Sequence, residues 1–258
     1  MALSLFHRGR FDLLVLGAGR GGTSLVGSLL DSHPQLTVAL EEGAREYLMG
    51  APPESRGDKE RRLKNFQKAC RKAARRAPTR HWGNKITTEQ LDQLYPADWD
   101  TLWSPGSPLL AGQPFTSFHA EVGRTLLLPL RVVYVSRDGR SCIYSKQQRS
   151  PTSYQQALYR WKAAFPWWHW LHEAHPRWHW LRYEDLLRAP EASLQSLCDF
   201  LGLPYHPAML KGAGSNRIHE DYRQPRLDAT KAQIPPEAKA FQSDIREELR
   251  MWGYEGKE

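Results

Sequence analysis

The sequence predicts an α/β fold in which helices flank a parallel β-sheet. A short apolar run at residues 11–16 ends in a glycine-rich loop and is followed by a helical pattern. A continuous valine-rich run at 130–136 is typical of a strand that is buried on both faces of a parallel sheet. Other apolar runs of strand length alternate with helical segments, so we expect ligands at the carboxyl ends of the strands.

In the first half of the chain, turn and capping residues delimit the elements. A helix over 23–32 ends at His33-Pro34, because proline cannot continue a helix. Apolar or small residues recur on one face from 59 to 77, which predicts an amphipathic helix with a basic outer surface. Thr87 and Gln90 have capping-box spacing and predict a helix start. The predicted strands of this half are 11–16, 36–40 and a short strand or turn at 81–86.

In the second half, residues 96–114 are rich in Trp, Pro, Gly and Ser, which predicts an irregular loop. Pro190 and Gly202 bracket a helix over 190–201. The predicted strands of this half are 130–136 and 178–182. The other predicted helices end near 128 and 149 or span about 154–172 and 235–252.

Composition sets limits on the class of protein. The 258 residues are 40% hydrophobic, which predicts one domain over 1–258 with a buried core rich in tryptophan. No apolar run reaches the roughly 18–20 residues of a membrane-spanning helix. The first ten residues lack the apolar stretch of a secretion signal, so a cytoplasmic location is expected. The three cysteines, Cys70, Cys142 and Cys198, lack disulfide or metal-site spacing and are expected to be reduced, packed thiols.

Positive charge is concentrated in one segment. The net charge is +8, and residues 56–80 contain eleven Lys and Arg against two acids, while the rest of the chain is balanced at 25 against 26. Such a segment attracts anions, whether nucleic acid, acidic lipid or a phosphorylated small molecule. Because it lacks a nucleic-acid-binding motif, we interpret it as a solvated cover or a surface for an acidic substrate.

The glycine-rich loop has two interpretations. Residues 17–22 match G-x-G-x-x-G between a strand and a helix, so they fit a dinucleotide site in which Glu41 or Glu42 binds ribose. They also fit an anion nest at the start of the helix, and Arg20 favours this second reading because a pyrophosphate bridge does not need a cation. The amides expected to face the anion are those of Gly21, Gly22, Thr23 and Ser24. A Walker A loop is excluded, since no Gly-Lys-Ser/Thr follows.

A second anion site is predicted after the strand at 130–136. Arg137 follows this strand and would lie at the carboxyl edge of the sheet. Ser145 and Arg149 are four residues apart on the next helix and share a face. The three side chains can therefore converge on one phosphate.

Together these segments resemble the sulfotransferases that use 3′-phosphoadenosine 5′-phosphosulfate (PAPS). Residues 19–34 look like the family's 5′-phosphosulfate loop and helix, 133–145 look like its 3′-phosphate site, and 181–204 are similar to its third recurring block. Within the family, the glycine loop, the Glu41-Glu42 pair, Asn84-Lys85 and the Arg137 block resemble the tyrosylprotein sulfotransferase branch most closely.

The resemblance implies a P-loop-like parallel sheet in a single domain with a helical cover. The 5′-phosphosulfate region would be 11–42, the basic helical segment 56–80, and the 3′-phosphate site and core 130–206. It implies PAPS and a hydroxyl-bearing acceptor (sugar, tyrosine or small alcohol) as substrates and adenosine 3′,5′-bisphosphate as a product. It requires no metal.

The resemblance also implies roles for individual residues. Arg20 would hold the sulfuryl region, Glu41 or Glu42 would be the general base, and Lys85 would stabilise charge on the transferring group. The 3′-phosphate would be bound by Arg137, Ser145, Arg149 and Arg217. The histidines nearest these segments, His33 and His119, are weaker candidates for the base, and Tyr183 and Glu184 are expected to pack rather than to bind substrate.

Two other functions stay open at this point. An NAD(P)-dependent oxidoreductase would use the glycine loop for a pyrophosphate and leave the Arg137 block unexplained. A protein that binds nucleic acid or another anion without catalysis would use the helix within 56–80. The sequence specifies neither the acceptor nor the oligomeric state.

Overall fold

A single parallel sheet organises the protein. The computed structural model describes residues 9–111, 114–149, 151–218, 220, 223 and 227–254. The strands are β1 (Arg10–Leu16), β2 (Leu36–Leu40), β3 (His81–Lys85), β4 (Arg131–Ser136) and β5 (Trp178–Arg182). They pair in the order β2-β3-β1-β4-β5, and every pairing is parallel. The predicted fold class is confirmed, and residues 81–85 form a strand rather than a turn.

The strand order bears on the alternative of an NAD(P)-dependent oxidoreductase. In a Rossmann sheet that binds dinucleotides, β2 lies next to β1. Here β3 lies between them, so the acids that follow β2 are two strands away from the strand that leads into the glycine loop. This order disagrees with the dinucleotide interpretation of Glu41 and Glu42.

Helices cover both faces of the sheet. The first six are α1 (Thr23–Asp31), α2 (Ala44–Tyr47), α3 (Arg56–Ala74), α4 (Thr88–Asp92), α5 (Trp99–Leu102) and α6 (Ser117–Val122), which a π-helical turn continues over Gly123–Leu127. The others are α7 (Gly139–Arg149), α8 (Tyr154–Lys162), α9 (Ala164–Ala174), α10 (Tyr183–Arg188), α11 (Pro190–Leu201) and α12 (Arg246–Met251). Segments of 3₁₀ helix span Pro207–Gly214, Ala229–Ala232 and Pro236–Ile245.

Several boundaries differ from the prediction. Helix α3 begins three residues early, because the Ser55 hydroxyl accepts a bond from the Asp58 amide and caps it. The predicted helix over 154–172 is interrupted at Ala163, three residues before Pro166, which has no N–H to donate to the preceding turn. Helix α5 lies inside the predicted loop at 96–114, of which 112–113 are outside the described residues. The predicted last helix is largely 3₁₀.

The core lies on both faces of the sheet. Along β1, Leu14 and Leu16 belong to one buried cluster, while Leu13 and Val15 belong to the other, as the alternation of side chains in a strand requires. The tryptophan-rich core is confirmed for Trp161, Trp167, Trp168 and Trp170, whereas Trp178 and Trp180 are half-buried. All three cysteines are buried and unpaired, and burial raises the pKa of the Cys70 thiol to about 12.

The basic segment forms the predicted amphipathic helix. Leu63, Phe66, Cys70 and Ala74 of α3 are buried against the sheet, and most of its lysines and arginines are exposed. Helix α3 therefore covers one face of the sheet. No helix among the described residues has the length and apolar character needed to cross a membrane.

Candidate functional site

A cavity of about 900 Å³ lies at the carboxyl edge of the sheet. Residues at or just after the end of each of the five strands line it, as expected for an open α/β sheet. These residues are Arg20 after β1, Glu41 after β2, Lys85 at the end of β3, Arg137 after β4 and Tyr183 after β5. The fold thus brings together side chains that are up to 163 residues apart in the chain.

The glycine loop turns sharply around Arg20. The Gly21 amide donates to the Ala18 carbonyl at 2.9 Å and closes a turn whose third residue, Arg20, has a φ of 71°. A positive φ is unfavourable for an arginine, and such strain is typical of functional sites. At Gly22, φ is 92° and an added Cβ would lie 2.3 Å from the Tyr183 ring, so only glycine fits.

The structure brings most of the predicted loop residues to the cavity. Arg20, Gly22, Thr23 and Ser24 line the cavity. Gly21 does not line it, and the Gly21 amide donates to the Ala18 carbonyl within the turn instead of facing the cavity as expected. The first turn of α1 therefore lies at the cavity, and a helix N-terminus at this place favours an anion.

A buried ion pair behind the loop was missed by the sequence reasoning. The Glu89 carboxylate accepts the Gly19 amide at 2.8 and 2.9 Å and lies 2.5 Å from Lys146 Nζ. Burial by itself raises the pKa of Glu89, but Lys146 and the Gly19 amide outweigh it and lower the pKa. The pair connects the glycine loop with α7, and the sequence showed only the capping box of Thr87 and Gln90 around Glu89.

Arg20 also links the two predicted anion sites. Its guanidinium donates to the Ser145 hydroxyl at 2.9 and 3.2 Å, while Arg137 Nη1 donates to the Arg20 carbonyl at 3.1 Å. The Arg137 guanidinium lies 4.7 Å from the centre of the Tyr183 ring. Arg149 lines the same cavity, so Arg137, Ser145 and Arg149 are brought together as predicted.

Glu41 and Glu42 lie in different environments. Glu41 lines the cavity with a φ of 65°, and its carboxylate lies 2.5 Å from Lys85 Nζ. Glu42 does not line the cavity. Its amide donates to Asn84 Oδ1 at 3.1 Å, and Asn84 Nδ2 donates back to its carbonyl at 2.9 Å. The buried Asn84 side chain therefore holds the turn that presents Glu41.

Two further parts of the lining come from late in the chain. Arg217 donates to the Asp31 carboxylate and, at 2.7 Å, to the Val38 carbonyl, so protein groups already hold it at the rim. Thr230, Lys231 and residues 233–236 form the wall that the sequence analysis missed, because this segment carries no motif. Tyr183, which was expected only to pack, also lines the cavity, whereas Glu184 is buried and bonded to the Asp138 amide and the Tyr254 hydroxyl.

The cavity is strongly positive. Among the described residues that line it, Glu41 is the single carboxylate. The cations are Arg20, Lys85, Arg137, Arg149, Arg217 and Lys231. Confined positive charge of this kind attracts a multiply charged anion.

The two histidines considered for the base lie away from this cavity. His33 bonds to the Pro204 carbonyl at 2.8 Å, and His119 is buried beside Trp167. Neither lines the cavity. Within the part of the chain that the structure describes, no group of three His, Cys, Asp or Glu side chains is arranged to hold a metal ion.

Comparisons with known proteins agree on one family. A family model described as "Sulfotransferase family" matches residues 12–207. The chain is similar to the solved sulfotransferase domain from the curacin biosynthetic pathway, with 17% identity, a TM-score of 0.56, and coverage of 93% of this chain and 98% of that one. The sulfotransferase domain from the Synechococcus PCC 7002 olefin synthase has 15% identity and a TM-score of 0.54, with coverage of 93% of this chain and 96% of that one. A sulfotransferase from Alicyclobacillus acidocaldarius has 12% identity and a TM-score of 0.50, with coverage of 94% of each chain. No curated protein matches the sequence.

Proposed function

The chain belongs to the sulfotransferase family, and from that membership we propose that it transfers the sulfuryl group of PAPS to an acceptor hydroxyl. The observation that carries this proposal is that two separate sets of cationic side chains line one cavity. The first set is Arg20 of the glycine loop. The second set is Arg137, which follows β4, and Arg149 at the end of α7. PAPS has a 5′-phosphosulfate and a separate 3′-phosphate, so a donor of this kind needs two such groups.

An unused hydrogen-bond donor supports the fit. Arg137 Nε is buried and has no hydrogen-bond partner among the described residues, although Nη1 of the same guanidinium is bonded. A buried, unpaired guanidinium N–H is costly, and a phosphate oxygen at this place would remove the cost. Arg137, Ser145 and Arg149 would hold the 3′-phosphate, and the amides and hydroxyls of Thr23 and Ser24 would hold the 5′-phosphosulfate.

Bound PAPS supplies a sulfuryl group attached to a good leaving group, the 5′-phosphate of adenosine 3′,5′-bisphosphate. In the transfer, the acceptor oxygen forms a bond to sulfur while the bond from sulfur to the phosphate oxygen breaks. Like phosphoryl transfer, this displacement depends mainly on positioning and on cations that stabilise negative charge. Among the cations that line the cavity, Arg20 of the glycine loop and Lys85 beside Glu41 would supply this charge.

The acceptor hydroxyl must lose its proton as it attacks, and Glu41 is the group that receives it. Glu41 is the carboxylate within the described lining, and Lys85 orients it from one side. Glu42 lies outside the lining, which favours Glu41 over Glu42 for this role. The likeness to the tyrosylprotein branch makes a peptide tyrosine one acceptor to test, beside sugars and small alcohols, and the proposed location is cytoplasmic.

Calorimetric titration with adenosine 3′,5′-bisphosphate, run beside NAD+ and NADP+, tests the donor. We expect saturable binding of the bisphosphate that Arg137→Ala weakens at least about tenfold, because charge-assisted bonds contribute about 1.5–3 kcal/mol. The matched control is Arg182→Ala. Arg182 also ends a strand and stacks on a tyrosine, Tyr254, at 4.5 Å, but it lies outside the cavity. Heat from NAD+ or NADP+ and none from the bisphosphate would refute the proposal.

A further inference from the structure

A second cavity, of about 360 Å³, lies at the opposite edge of the sheet, beside the start of β1. The length of β1, about 20 Å at a rise of about 3.3 Å per residue, separates it from the first cavity. Arg10 of β1, Arg71 of α3 and Arg75, the residue after α3, line it together with Phe11, Pro129 and Leu130. It therefore combines three arginines with an apolar surface.

The walls of this cavity are held in place. Gly9 passes so close to the end of α3 that an added Cβ would lie 2.2 Å from the Ala74 carbonyl oxygen, which keeps Arg10 next to this helix. The Gln67 amide nitrogen donates to the Thr125 carbonyl at 2.8 Å, and its oxygen accepts from Arg71 at 3.2 Å. Gln67 thus ties α3 to the π-helical turn and orients the Arg71 guanidinium.

The arginines of this cavity lack carboxylate partners. In the first half of α3, Lys59 pairs with Glu121 and Arg61 with Asp58. Within the described residues, the side chains of Arg10 and Arg75 make no hydrogen bond or ion pair, and Arg71 bonds only to the neutral amide of Gln67. Residues 1–8, which precede Gly9 in the sequence and lie outside the described residues, contain no Asp or Glu.

The helix dipole explains only part of this cluster. Cations near a helix C-terminus are stabilised by the dipole, which accounts for Arg71 and Arg75. It does not account for Arg10, which belongs to β1 and brings a third positive charge to the same space. Three guanidinium groups that repel one another are stabilised when a shared anion binds.

We propose that this cavity is a second binding site, for a sulfate or phosphate ester on a small apolar body. Arginine binds tetrahedral oxyanions through paired N–H groups, which a triad of arginines supplies. Phe11 and the exposed Pro129, both in the cavity lining, supply the contact surface for the organic part, and Phe11 is fixed edge-on against Trp82 with ring centres 5.4 Å apart. The site takes no part in the proposed sulfuryl transfer.

Titration of the full chain with phenyl sulfate and phenyl phosphate tests this site. Saturating adenosine 3′,5′-bisphosphate is present to fill the first cavity, and the titration is repeated with Arg137→Ala protein. We expect one equivalent to bind under both conditions. The Arg10→Gln variant and the Arg71→Gln/Arg75→Gln variant should each bind at least about tenfold more weakly. Lys68→Gln/Lys72→Gln, two exposed changes on the same helix outside the cavity, should leave binding unchanged.

The outcomes separate this site from the donor cavity. No saturable binding of either ester, equal weakening by the Lys68→Gln/Lys72→Gln control, or displacement by the bisphosphate would each overturn the proposal. Inorganic sulfate should bind more weakly than phenyl sulfate, and equal affinity would refute the apolar part of the site. The ratio of the two ester affinities distinguishes a sulfate ligand from a phosphate ligand. Failure of the proposed sulfuryl transfer would leave these results unchanged, because none of the arginine-to-glutamine variants, nor the Lys68→Gln/Lys72→Gln control, alters the first cavity.

Discussion

Lys85 Nζ lies 2.5 Å from Glu41 Oε1, although the two residues are separated by 44 positions in the chain. The parallel pairing of β2 with β3 places Lys85 opposite Leu40, the residue before Glu41. The Lys85 side chain is 5% exposed and that of Glu41 is 41% exposed. The cation is therefore fixed in the protein, while the carboxylate remains accessible from the cavity.

This arrangement predicts that Glu41→Gln abolishes most of the transfer without loss of donor binding. Loss of a general base reduces turnover by about 10²–10⁴-fold. The measurement is kcat with radiolabelled PAPS over a panel of phenolic, sugar and alkyl hydroxyl acceptors, together with the Kd for adenosine 3′,5′-bisphosphate. Glutamine keeps the size of the side chain, so the Kd should remain within about twofold.

The neighbouring glutamate provides the control. Glu42→Gln changes the same charge one residue away, outside the cavity lining, and should keep kcat within about twofold of the wild-type value. Equal losses in the two variants would contradict the assignment of Glu41 as the base.

A second prediction concerns the strained conformation of Arg20. At a φ of 71°, alanine is strained whereas glycine is not, so Arg20→Gly should be more stable than Arg20→Ala by about 1 kcal/mol. Both variants lose the guanidinium that bonds to Ser145, so both should lose turnover to the same extent. Urea unfolding measures the first difference and kcat the second. Recovery of turnover in Arg20→Gly would show that the cation is dispensable.

A third prediction concerns the buried pair of Glu89 and Lys146. Lys146→Met leaves the Glu89 carboxylate buried without its cation and should cost about 3–5 kcal/mol of unfolding free energy. In the double variant Glu89→Gln/Lys146→Met, no unpaired charge remains, and a glutamine oxygen can still accept the Gly19 amide. The double variant should therefore be more stable than Lys146→Met alone.

Binding of the bisphosphate tests whether the Glu89–Lys146 pair positions the glycine loop or only stabilises the fold. Because Glu89 connects the glycine loop with the helix that carries Ser145, the double variant should still bind the bisphosphate more weakly than wild type. Wild-type affinity in a stable double variant would restrict the pair to a structural role.

The fourth prediction is a pH dependence of stability. Burial lowers the pKa of His119 to about 3, whereas a histidine in the unfolded chain titrates near 6.5. Between these values the unfolded state binds a proton that the folded state does not, so stability falls as the pH falls. From pH 7 to pH 5, protonation of His119 in the unfolded chain should lower the free energy of unfolding by about 2 kcal/mol.

His119→Gln tests the contribution of this side chain. Glutamine at this position can keep the capping box with Thr116, and it does not titrate. The variant should lose about 2 kcal/mol less than wild type between pH 7 and pH 5 in urea unfolding. The exposed His172→Gln should retain the wild-type dependence. Parallel pH curves for wild type and His119→Gln would contradict the prediction.

Local sequence patterns were sufficient to predict much of the site. The glycine loop, the Arg137 segment and the strand ends were visible because strand and helix periodicity, caps and turns depend on residues close in sequence. Arg137, Ser145 and Arg149 were identified in this way, and the fold brings them to one cavity.

The features that the sequence did not reveal depend on the geometry of a turn or on contacts between distant segments. Gly21 was expected to face an anion, but whether its amide is free depends on the turn that it closes with Ala18. Glu89 lies in a short capped helix with no motif of its own, and its contact with Lys146 forms only when α4 and α7 pack behind the loop. The wall at 233–236 likewise becomes part of the cavity only through packing.

The sequence by itself determined the alternation of strands and helices, the loop chemistry and the cationic side chains, since these follow from neighbouring residues. The tertiary structure alone decided that β3 lies between β1 and β2, and thereby that Lys85 meets Glu41. It also decided that Glu41 rather than Glu42 lines the cavity, because the buried Asn84 bonds to the backbone of Glu42. The order in which strands pair depends on the packing of both faces of the whole sheet, and no local pattern encodes it.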